Sequence, residues 1–242
     1  MSDRRRVLVS GGTSGIGLAC AERLVASGQS VFVLGSHPEK LTGVLASQPA
    51  LRGAVCDVSD EAAVLAAVEL ARRELGGLDA AFVNAGIDGQ GVPGGEIELD
   101  GFRRLLEVNV LGAFLVARQV VAVMSRPGSI VFNASVNALR PERNFLDYNA
   151  SKAAVVSMAK TLALELGGSG VTVIALCPGY FPTAMTKPYL EDPSIAAELL
   201  THIPAGRFGE LGELAALVEY LLSPGASFLH GSVVSPDGGA SI

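Results

Sequence analysis

The sequence predicts an α/β fold, a single domain built on a doubly wound parallel sheet of about seven strands. Two observations lead to this prediction. Seven short runs, most of them too uniformly apolar to have a solvated face, alternate along the chain with longer stretches of helical character. In addition, 242 residues with 49% apolar content suffice for one domain, residues 1–242, with one large core.

The predicted elements place any ligand at one edge of the sheet. Strands are predicted at residues 7–10, 30–34, 53–58, 80–84, 129–134, 171–176 and 231–235, and helices at 18–27, 60–75, 100–124, 148–166 and 211–222. Parallel strands joined by right-handed crossovers end at the same edge, and ligands bind there. The segments 88–95 and 180–205 are predicted to be irregular, and the second is long enough to form a substrate lid.

A glycine-rich turn, S-G-G-T-S-G-I-G, occupies residues 10–17 between the first predicted strand and its helix. Gly11 permits a tight turn, Gly15 lets the backbone approach an anion, and Gly17 allows helix and strand to pack closely. The helix beginning near Ile16 directs free N–H groups and a positive dipole end at a phosphate. The spacing G-x-x-x-G-x-G approximates the common dinucleotide fingerprint, and a glycine turn without a ligand is the alternative.

Tyr148 and Lys152 are four residues apart in Y-N-A-S-K, with Ser135 and Asn109 upstream. Residues i and i+4 share a helix face, so the Lys152 ammonium is expected to lower the pKa of the Tyr148 phenol. Such a phenol can act as a general acid or base for a carbonyl and alcohol pair. The alternatives are ordinary helix neighbours for this pair, a locally satisfied strand-end hydroxyl for Ser135 and a buried structural amide for Asn109.

Several further motifs stand in a recognisable order along nearly the whole chain. They are D-V at Asp57, N-A-G at residues 84–86, P-G-Y-F-P-T at 178–183, G-R-F-G-E-L-G-E-L-A at 206–215 and P-D-G-G at 236–239. Together with the glycine turn, Asn109, Ser135 and Y-N-A-S-K, they resemble the short-chain dehydrogenase/reductase family. Within that family the chain resembles ketoreductases of the 3-oxoacyl-acyl carrier protein reductase type.

The resemblance implies a Rossmann-type fold and hydride transfer between a nicotinamide and a ketone or secondary alcohol. Tyr148 then exchanges a proton with the substrate oxygen, and Ser135 hydrogen-bonds the same oxygen. Lys152 is expected to hold the nicotinamide ribose as well. Asn109 is expected at a helix bulge that carries water for proton supply. These four residues are the predicted catalytic set.

The resemblance also implies a set of cofactor-binding residues, with NADP(H) favoured over NAD(H). The predicted set is Gly11, Thr13, Ser14, Gly15, Ile16, Gly17, Ser36, His37, Cys56, Asp57, Asn84, Ala85, Gly86, Tyr148, Lys152, Pro178, Gly179, Phe181 and Thr183. Gly35 stands where NAD-specific relatives carry an acid for the ribose 2′-hydroxyl, so nothing there repels a 2′-phosphate. Ser14, Ser36 and His37, with Lys40 further away, are the expected phosphate donors. Asp57 is expected to accept from the adenine amino group, or alternatively to cap the following helix.

A substrate pocket is expected from the residues around the catalytic tyrosine and from the segment 180–205. The candidates are Asn137, Phe145, Tyr180, Phe181 and Met185. Phe145 suits an apolar or aromatic substrate face. Arg140 and Arg143 could bind a carboxylate or phosphate, but surface positions are the commoner outcome for such arginines. The substrate is a small-molecule carbonyl or alcohol that the sequence does not identify further.

Composition speaks against several other functions. Charged residues make up 17% of the chain, the net charge is −6, and the arginines at residues 4–6 form the one basic cluster, so nucleic-acid binding is not expected. No uncharged apolar run approaches a membrane span or a signal core, which predicts a cytoplasmic protein without a membrane partner. Cys20, Cys56 and Cys177 lack metal-ligand spacing and are expected in the core, so no metal is predicted.

Surplus apolar positions on two predicted helices suggest self-association. Leu111, Phe114, Val155, Met158 and Leu162 exceed what one sheet face needs, which predicts a homodimer or homotetramer. Three alternatives to a ketoreductase remain at this point. They are an NAD-dependent alcohol dehydrogenase working in the oxidative direction, a nucleotide-binding protein without turnover, and an isomerase that uses bound nicotinamide transiently.

Overall fold

Seven parallel strands form a single sheet in the computed structural model, which describes residues 4–242. The strands are β1 (Arg6–Ser10), β2 (Ser30–Gly35), β3 (Arg52–Val55), β4 (Leu78–Val83), β5 (Met124–Asn133), β6 (Val171–Leu176) and β7 (Val233–Val234). Their spatial order is β3-β2-β1-β4-β5-β6-β7. The chain therefore winds outward from β1 to β3 and then returns to the other side of β1. The carboxyl ends of β1 and β4 flank the point where ligands bind in such sheets.

Helices cover both faces of this sheet. They are α1 (Gly15–Ala26), α2 (Pro38–Ser47), α3 (Glu61–Leu75), α4 (Leu99–Leu106), α5 (Ala113–Val123), α6 (Leu146–Leu166), α7 (Lys187–Leu190), α8 (Pro193–Thr201) and α9 (Leu211–Leu221). Helices α3, α5 and α6 share one core with the sheet, and α1, α2 and α9 share the other. The predicted doubly wound α/β fold is thus confirmed.

The strand side chains alternate between the two cores. In β1, Leu8 belongs to the first core, whereas Val7 and Val9 belong to the second. The register pairs Val9 with Val33 of β2, which lies in the same core. Because both faces are buried, these strands are uniformly apolar, which is the pattern that predicted a parallel sheet.

Residues 99–123 form one continuous helical stretch, in which α4 and α5 are joined by a π-helical segment (Glu107–Gly112). By length and composition alone, with a mean hydropathy of 1.6, this stretch could cross a bilayer. Core helices pass the same criterion. Here Leu105, Val116 and Val120 are buried, and α5 packs against α3 and the sheet, so the stretch serves as a core helix of this fold.

Several elements differ from the predictions. Helices α2, α7 and α8 are additional, β3 ends at Val55, and β7 has two residues. The predicted lid, 180–205, contains two of the additional helices and is not wholly irregular. The three cysteines are buried and free, as predicted. Among the surplus apolar positions, Val155 is buried, and Met158 and Leu162 pack against the chain's own core. The self-association argument is therefore wrong for Val155, and for the partly buried Met158 and Leu162 it stays a prediction.

Candidate active site

A cleft of about 320 Å³ runs along the carboxyl ends of the strands. The loops after β1, β2, β3, β4 and β6, together with the end of β5, form its walls. The cleft is lined by every predicted cofactor residue apart from Gly17, that is by Gly11, Thr13, Ser14, Gly15, Ile16, Ser36, His37, Cys56, Asp57, Asn84, Ala85, Gly86, Tyr148, Lys152, Pro178, Gly179, Phe181 and Thr183. Gly17 lies behind the loop, where a Cβ would come within 2.2 Å of the Gly11 carbonyl oxygen. It therefore serves close packing, as its position in the motif predicted.

The glycine loop forms a cradle that side chains would fill. Gly11 and Gly15 have φ values of +66° and +51°, which disfavour other residues. A Cβ on Gly11 would also lie 2.8 Å from the Cα of Ala85. Ser14 is the N-cap of α1, yet its side chain makes no capping hydrogen bond. The first N–H groups of α1 and the Ser14 hydroxyl are therefore available to an anion.

The end of the cleft near β2 carries hydrogen-bond donors. Ser36 and His37 contact each other, with 3.0 Å between Oγ and Nδ1, and Lys40 of α2 also lines the wall. A Cβ on Gly35 would lie 2.5 Å from Cγ2 of Thr13, so the backbone approaches the glycine loop closely here. Within residues 4–242, the one carboxylate that lines this cleft is Asp57.

Asp57 is held by groups of the protein itself. It accepts hydrogen bonds from the Ser59 amide and hydroxyl, and it pairs with Arg104 of α4 at 2.9 Å. Burial alone would raise the pKa of Asp57, but these partners lower it below its usual value. The helix-capping alternative for Asp57 is wrong, because Asp60 caps α3. Arg104 also lines the cleft, and nothing in its local sequence indicated this.

Tyr148 and Lys152 share a face of α6, as predicted. The Lys152 ammonium lies 5.5 Å from the centroid of the Tyr148 ring and donates a hydrogen bond to the Asn133 carbonyl at 3.1 Å. Burial lowers the pKa of Lys152 to about 8. This residue is therefore mostly charged at neutral pH and loses its charge under mildly alkaline conditions.

The predicted lowering of the Tyr148 pKa is wrong in direction. Burial raises the pKa of Tyr148, and the negative charges of Asp88 and Glu142 raise it further, while Ser135 opposes the rise. The Lys152 ammonium makes no hydrogen bond to the phenol, because it is directed at the Asn133 carbonyl. Tyr148 thus remains protonated at neutral pH, which suits a proton donor.

The position of Ser135 is compatible with both predicted roles, the locally bonded strand-end hydroxyl and the hydrogen-bond donor to a substrate oxygen. Its hydroxyl caps a short 3₁₀ turn by accepting from the Asn137 amide at 3.2 Å. The same side chain lines the cleft beside Tyr148. The Ser135 O–H donates to Oδ1 of Asn137 over 3.4 Å, and this long hydrogen bond can be exchanged for one to a substrate oxygen.

Asn109 is buried in the π-helical segment, which confirms the predicted bulge. Its side chain accepts from the Ile87 amide at 2.8 Å and donates to the Ile87 carbonyl at 3.0 Å and to Ser151 at 3.2 Å. Asn109 therefore ties the loop after β4 to α6. This contact set is the structural role that the sequence analysis gave as the alternative for Asn109. The water-carrying role stays a prediction.

Asp147 is a site residue that the sequence analysis missed. It precedes Tyr148, is fully buried, and accepts from the amides of Tyr148 at 2.8 Å and Gln90 at 3.1 Å. These contacts fasten the loop at 88–95 to the start of α6. An acid immediately before a predicted helix was the available signal, because the positive end of the helix dipole favours it.

A second cavity of about 730 Å³ adjoins the cleft, and Ser135 and Tyr148 line both. The predicted substrate residues Asn137, Phe145, Tyr180 and Met185 line it, as do Arg140, Arg143 and parts of α7 and α8. Phe145 meets the rings of Tyr148 and Tyr189 edge-on, with centroids 6.5 and 6.1 Å apart, and so forms an aromatic wall. Phe181, the other substrate candidate, lines the cleft and lies in the core.

Comparisons with known proteins agree with this geometry. A sequence profile described as enoyl-(acyl carrier protein) reductase matches residues 11–241. The chain is 38% identical over 240 residues to 2,5-dichloro-2,5-cyclohexadiene-1,4-diol dehydrogenase of Sphingobium indicum, covering 97% of this chain and 96% of the relative. Two solved structures share 31% identity and cover 98% of each chain. They are a 3-ketoacyl-(acyl-carrier-protein) reductase from Brucella melitensis with NADH, at a TM-score of 0.90, and a short chain dehydrogenase from Burkholderia cenocepacia with NADP, at 0.91.

Proposed function

The chain belongs to the short-chain dehydrogenase/reductase family of NAD(P)-dependent oxidoreductases, and we propose that it reduces a ketone to a secondary alcohol with NADPH. One observation carries the proposal. Ser135 and Tyr148 stand where a nucleotide-sized cleft meets a separate cavity, so both hydroxyls can reach one substrate oxygen.

The residues along the cleft fit a nicotinamide dinucleotide. The cradle of positive-φ glycines and the N-terminus of α1 suit a pyrophosphate, and Lys152 suits a ribose hydroxyl. When bound, the cofactor supplies the hydride for the substrate carbon. The chain's own residues then supply orientation and the proton.

Tyr148 is the proposed proton donor to the substrate oxygen. Nothing in the site lowers its pKa below the ordinary value, so the phenol is protonated at neutral pH and has a proton to give to the substrate oxygen. Ser135 donates a second hydrogen bond to the same oxygen and stabilises the charge that develops there. Lys152 holds the cofactor, and its nearby positive charge stabilises the phenolate that remains after proton transfer.

NADP(H) is the proposed cofactor. Gly35 offers no acceptor for a ribose 2′-hydroxyl and no charge against a 2′-phosphate. Ser36, His37 and Lys40 supply donors at that end of the cleft. Asp57, the carboxylate of the cleft, is paired with Arg104, so its charge is offset.

The proposal is tested by following NADPH and NADH consumption with a panel of neutral ketones, including ethyl acetoacetate and ethyl benzoylformate. We expect turnover that favours NADPH. Tight NADPH binding with no turnover of any ketone would instead indicate a nucleotide-binding protein without activity. Isomerisation without net cofactor consumption would indicate the isomerase alternative.

Oxidation of an alcohol is the second candidate, because the 38% identical relative is named as a diol dehydrogenase. The rates of ketone reduction and alcohol oxidation at neutral pH distinguish the two candidates. A protonated Tyr148 has a proton to donate to a ketone but cannot accept a proton from an alcohol. Faster oxidation than reduction at pH 7, with equal cofactor concentrations, would favour the dehydrogenase.

A further inference from the structure

The substrate cavity has unlike charges at its interior and its rim. Two half-buried carboxylates, Asp88 and Glu142, lie near the reacting end, where both raise the pKa of Tyr148. Arg140 and Arg143 are exposed at the mouth. Exposed charges are screened by water and salt, whereas partly buried charges are screened much less. The half-buried carboxylates therefore act more strongly than the rim arginines on a charged group inside the cavity.

Contacts from three parts of the site fix Glu142. One carboxylate oxygen accepts a hydrogen bond from the hydroxyl of Tyr180. The other accepts one from the side-chain nitrogen, Nδ2, of Asn137 at 3.1 Å. The Glu142 carbonyl accepts from Asn149 of α6 at 2.7 Å. No ion pair in the part of the chain from residue 4 onward neutralises this carboxylate. Its charge is therefore held in place beside the catalytic tyrosine.

Neither arginine of the rim forms an ion pair with Glu142 in the described part of the chain. Arg140 donates to the Ala240 carbonyl at 2.7 Å and lies 3.4 Å from His202, which directs it towards the C-terminal segment. Asp88 accepts from Tyr189 of α7 at 3.1 Å and adds to the negative interior. Burial raises the pKa of Asp88, so this carboxylate takes up a proton more readily than usual. For that reason Glu142 is the residue chosen for the test.

We propose that Glu142 determines substrate specificity by rejecting compounds that carry a carboxylate next to the reacting carbonyl and admitting neutral ones. The inference rests on the proposed reductase function and adds the substrate class. A negative group placed within a few ångströms of Glu142 in this half-buried cavity meets repulsion that an ester does not. Neutral substrates with hydroxyl groups gain instead, because carboxylate oxygens accept hydrogen bonds.

The test compares matched ester and acid pairs with the intact enzyme and NADPH. The pairs are ethyl benzoylformate with benzoylformate and ethyl acetoacetate with acetoacetate. Wild-type kcat/KM should favour each ester, and Glu142→Gln should shift the ester-to-acid ratio towards the acid by about tenfold. Glutamine keeps the size of the side chain and an acceptor for Tyr180. A purely structural defect lowers both rates and leaves their ratio unchanged.

Glu198→Gln is the matched control, because Glu198 lines the same cavity from α8 but is exposed. It should leave the ratio within about twofold of wild type, since its charge is screened. Wild-type enzyme that uses the acids as well as the esters would overturn the inference, and this measurement needs no variant to fold. An active Glu142→Gln variant with an unchanged ester-to-acid ratio of kcat/KM would also overturn the inference. The same conclusion would follow if Glu198→Gln shifted this ratio as much as Glu142→Gln does. Failure to reduce any ketone of the panel would refute the proposed function itself.

Discussion

Tyr148 and Lys152 show how the environment of a residue decides its protonation. Both lie on one face of α6, and burial raises the pKa of the phenol while it lowers that of the ammonium to about 8. Burial disfavours the charged form of each group, which explains the opposite directions. Helix periodicity could predict that the two residues are neighbours. It could not predict that the Asn133 carbonyl takes the lysine hydrogen bond.

These pKa directions predict the pH dependence of the reaction. Ketone reduction needs protonated Tyr148 and charged Lys152, so kcat/KM should be level from pH 6 to about 7.5. It should fall above about pH 8 as Lys152 deprotonates. Alcohol oxidation needs the phenolate, so it should stay slow at neutral pH, where the raised pKa of Tyr148 keeps the phenol protonated. Steady-state rates in both directions provide the measurement, and reduction that increases from pH 7 to 9 would contradict the assignment.

Cofactor choice is predicted to depend on Gly35. Gly35→Asp adds an acceptor for a 2′-hydroxyl and repels a 2′-phosphate, so the ratio of kcat/KM for NADH over NADPH should rise tenfold or more. A Cβ here meets Thr13, so Gly35→Ala is the matched control for the steric cost. The alanine variant should lose activity with both cofactors while the ratio stays close to that of wild type. A wild-type preference for NADH would refute the NADP assignment.

Local motifs could predict most of the residues that line the cleft, because each motif places its side chains at a strand end. Residues that reach the site from elsewhere were missed. Arg104 is 47 residues away from Asp57 in sequence, and Asp88 and Glu142 lie in loops without a motif. Their positions depend on how loops and helices pack, which one sequence does not reveal.

At the scale of elements, the π-helical segment joins the loop after β4 to α6. Its extra residue turns Asn109 inward, where the side chain satisfies both backbone groups of Ile87. Bulges of this kind occur frequently at functional sites. Gly86 passes close to this bulge and to Lys152. A Cβ added to Gly86 would lie 3.2 Å from Oδ1 of Asn109 and 3.4 Å from the Lys152 ammonium.

Asn109→Ala is expected to destabilise this junction. It leaves the Ile87 amide and carbonyl without their partners, which should lower the free energy of unfolding by ~1–3 kcal/mol. Urea unfolding monitored by circular dichroism is the measurement, with Thr161→Ala, at an exposed position of α6, as the comparison. A change below ~0.5 kcal/mol in Asn109→Ala would show that water replaces the amide at no cost.

Long apolar or amphipathic elements could be predicted, and short ones could not. The segments of β1, β6, α3 and α9 agree with prediction to within two residues. Helix α2 buries just Leu41 and Val44, so its periodicity is weak. Helix α8 carried a usable signal, because Asp192 caps it and proline occupies its first position. The number of prolines in this segment obscured that signal.

At the scale of the molecule, two neighbouring apolar side chains are exposed on one helical stretch, although Arg118 lies over the Phe114 ring at 5.3 Å. Leu111 and Phe114 are 54% and 45% exposed on the outer side of the α4–α5 stretch. Both were predicted to promote self-association. We propose that they lie in an interface of a homodimer or homotetramer, because adjacent exposed apolar side chains mark such surfaces.

The double variant Leu111→Glu/Phe114→Glu is expected to dissociate the assembly. It places negative charge on an apolar contact, so light scattering should give a smaller mass than the two- or fourfold chain mass expected of wild type. Leu65→Glu, an equally exposed leucine on α3, is the control and should keep the wild-type mass. A monomeric wild-type protein at micromolar concentration would refute the proposed assembly.

The central claim is that Tyr148 delivers the proton in an NADPH-dependent ketone reduction. The most direct measurement is NADPH consumption with ethyl benzoylformate by wild type, Tyr148→Phe and Tyr220→Phe. The last variant is the control, because it removes a phenol hydroxyl from an exposed tyrosine of α9. Tyr148→Phe should lower kcat by ~10²–10⁴ with nearly unchanged NADPH affinity, and Tyr220→Phe should match wild type. A folded Tyr148→Phe enzyme with near-full reduction would contradict the account, because the proton would then come from another group.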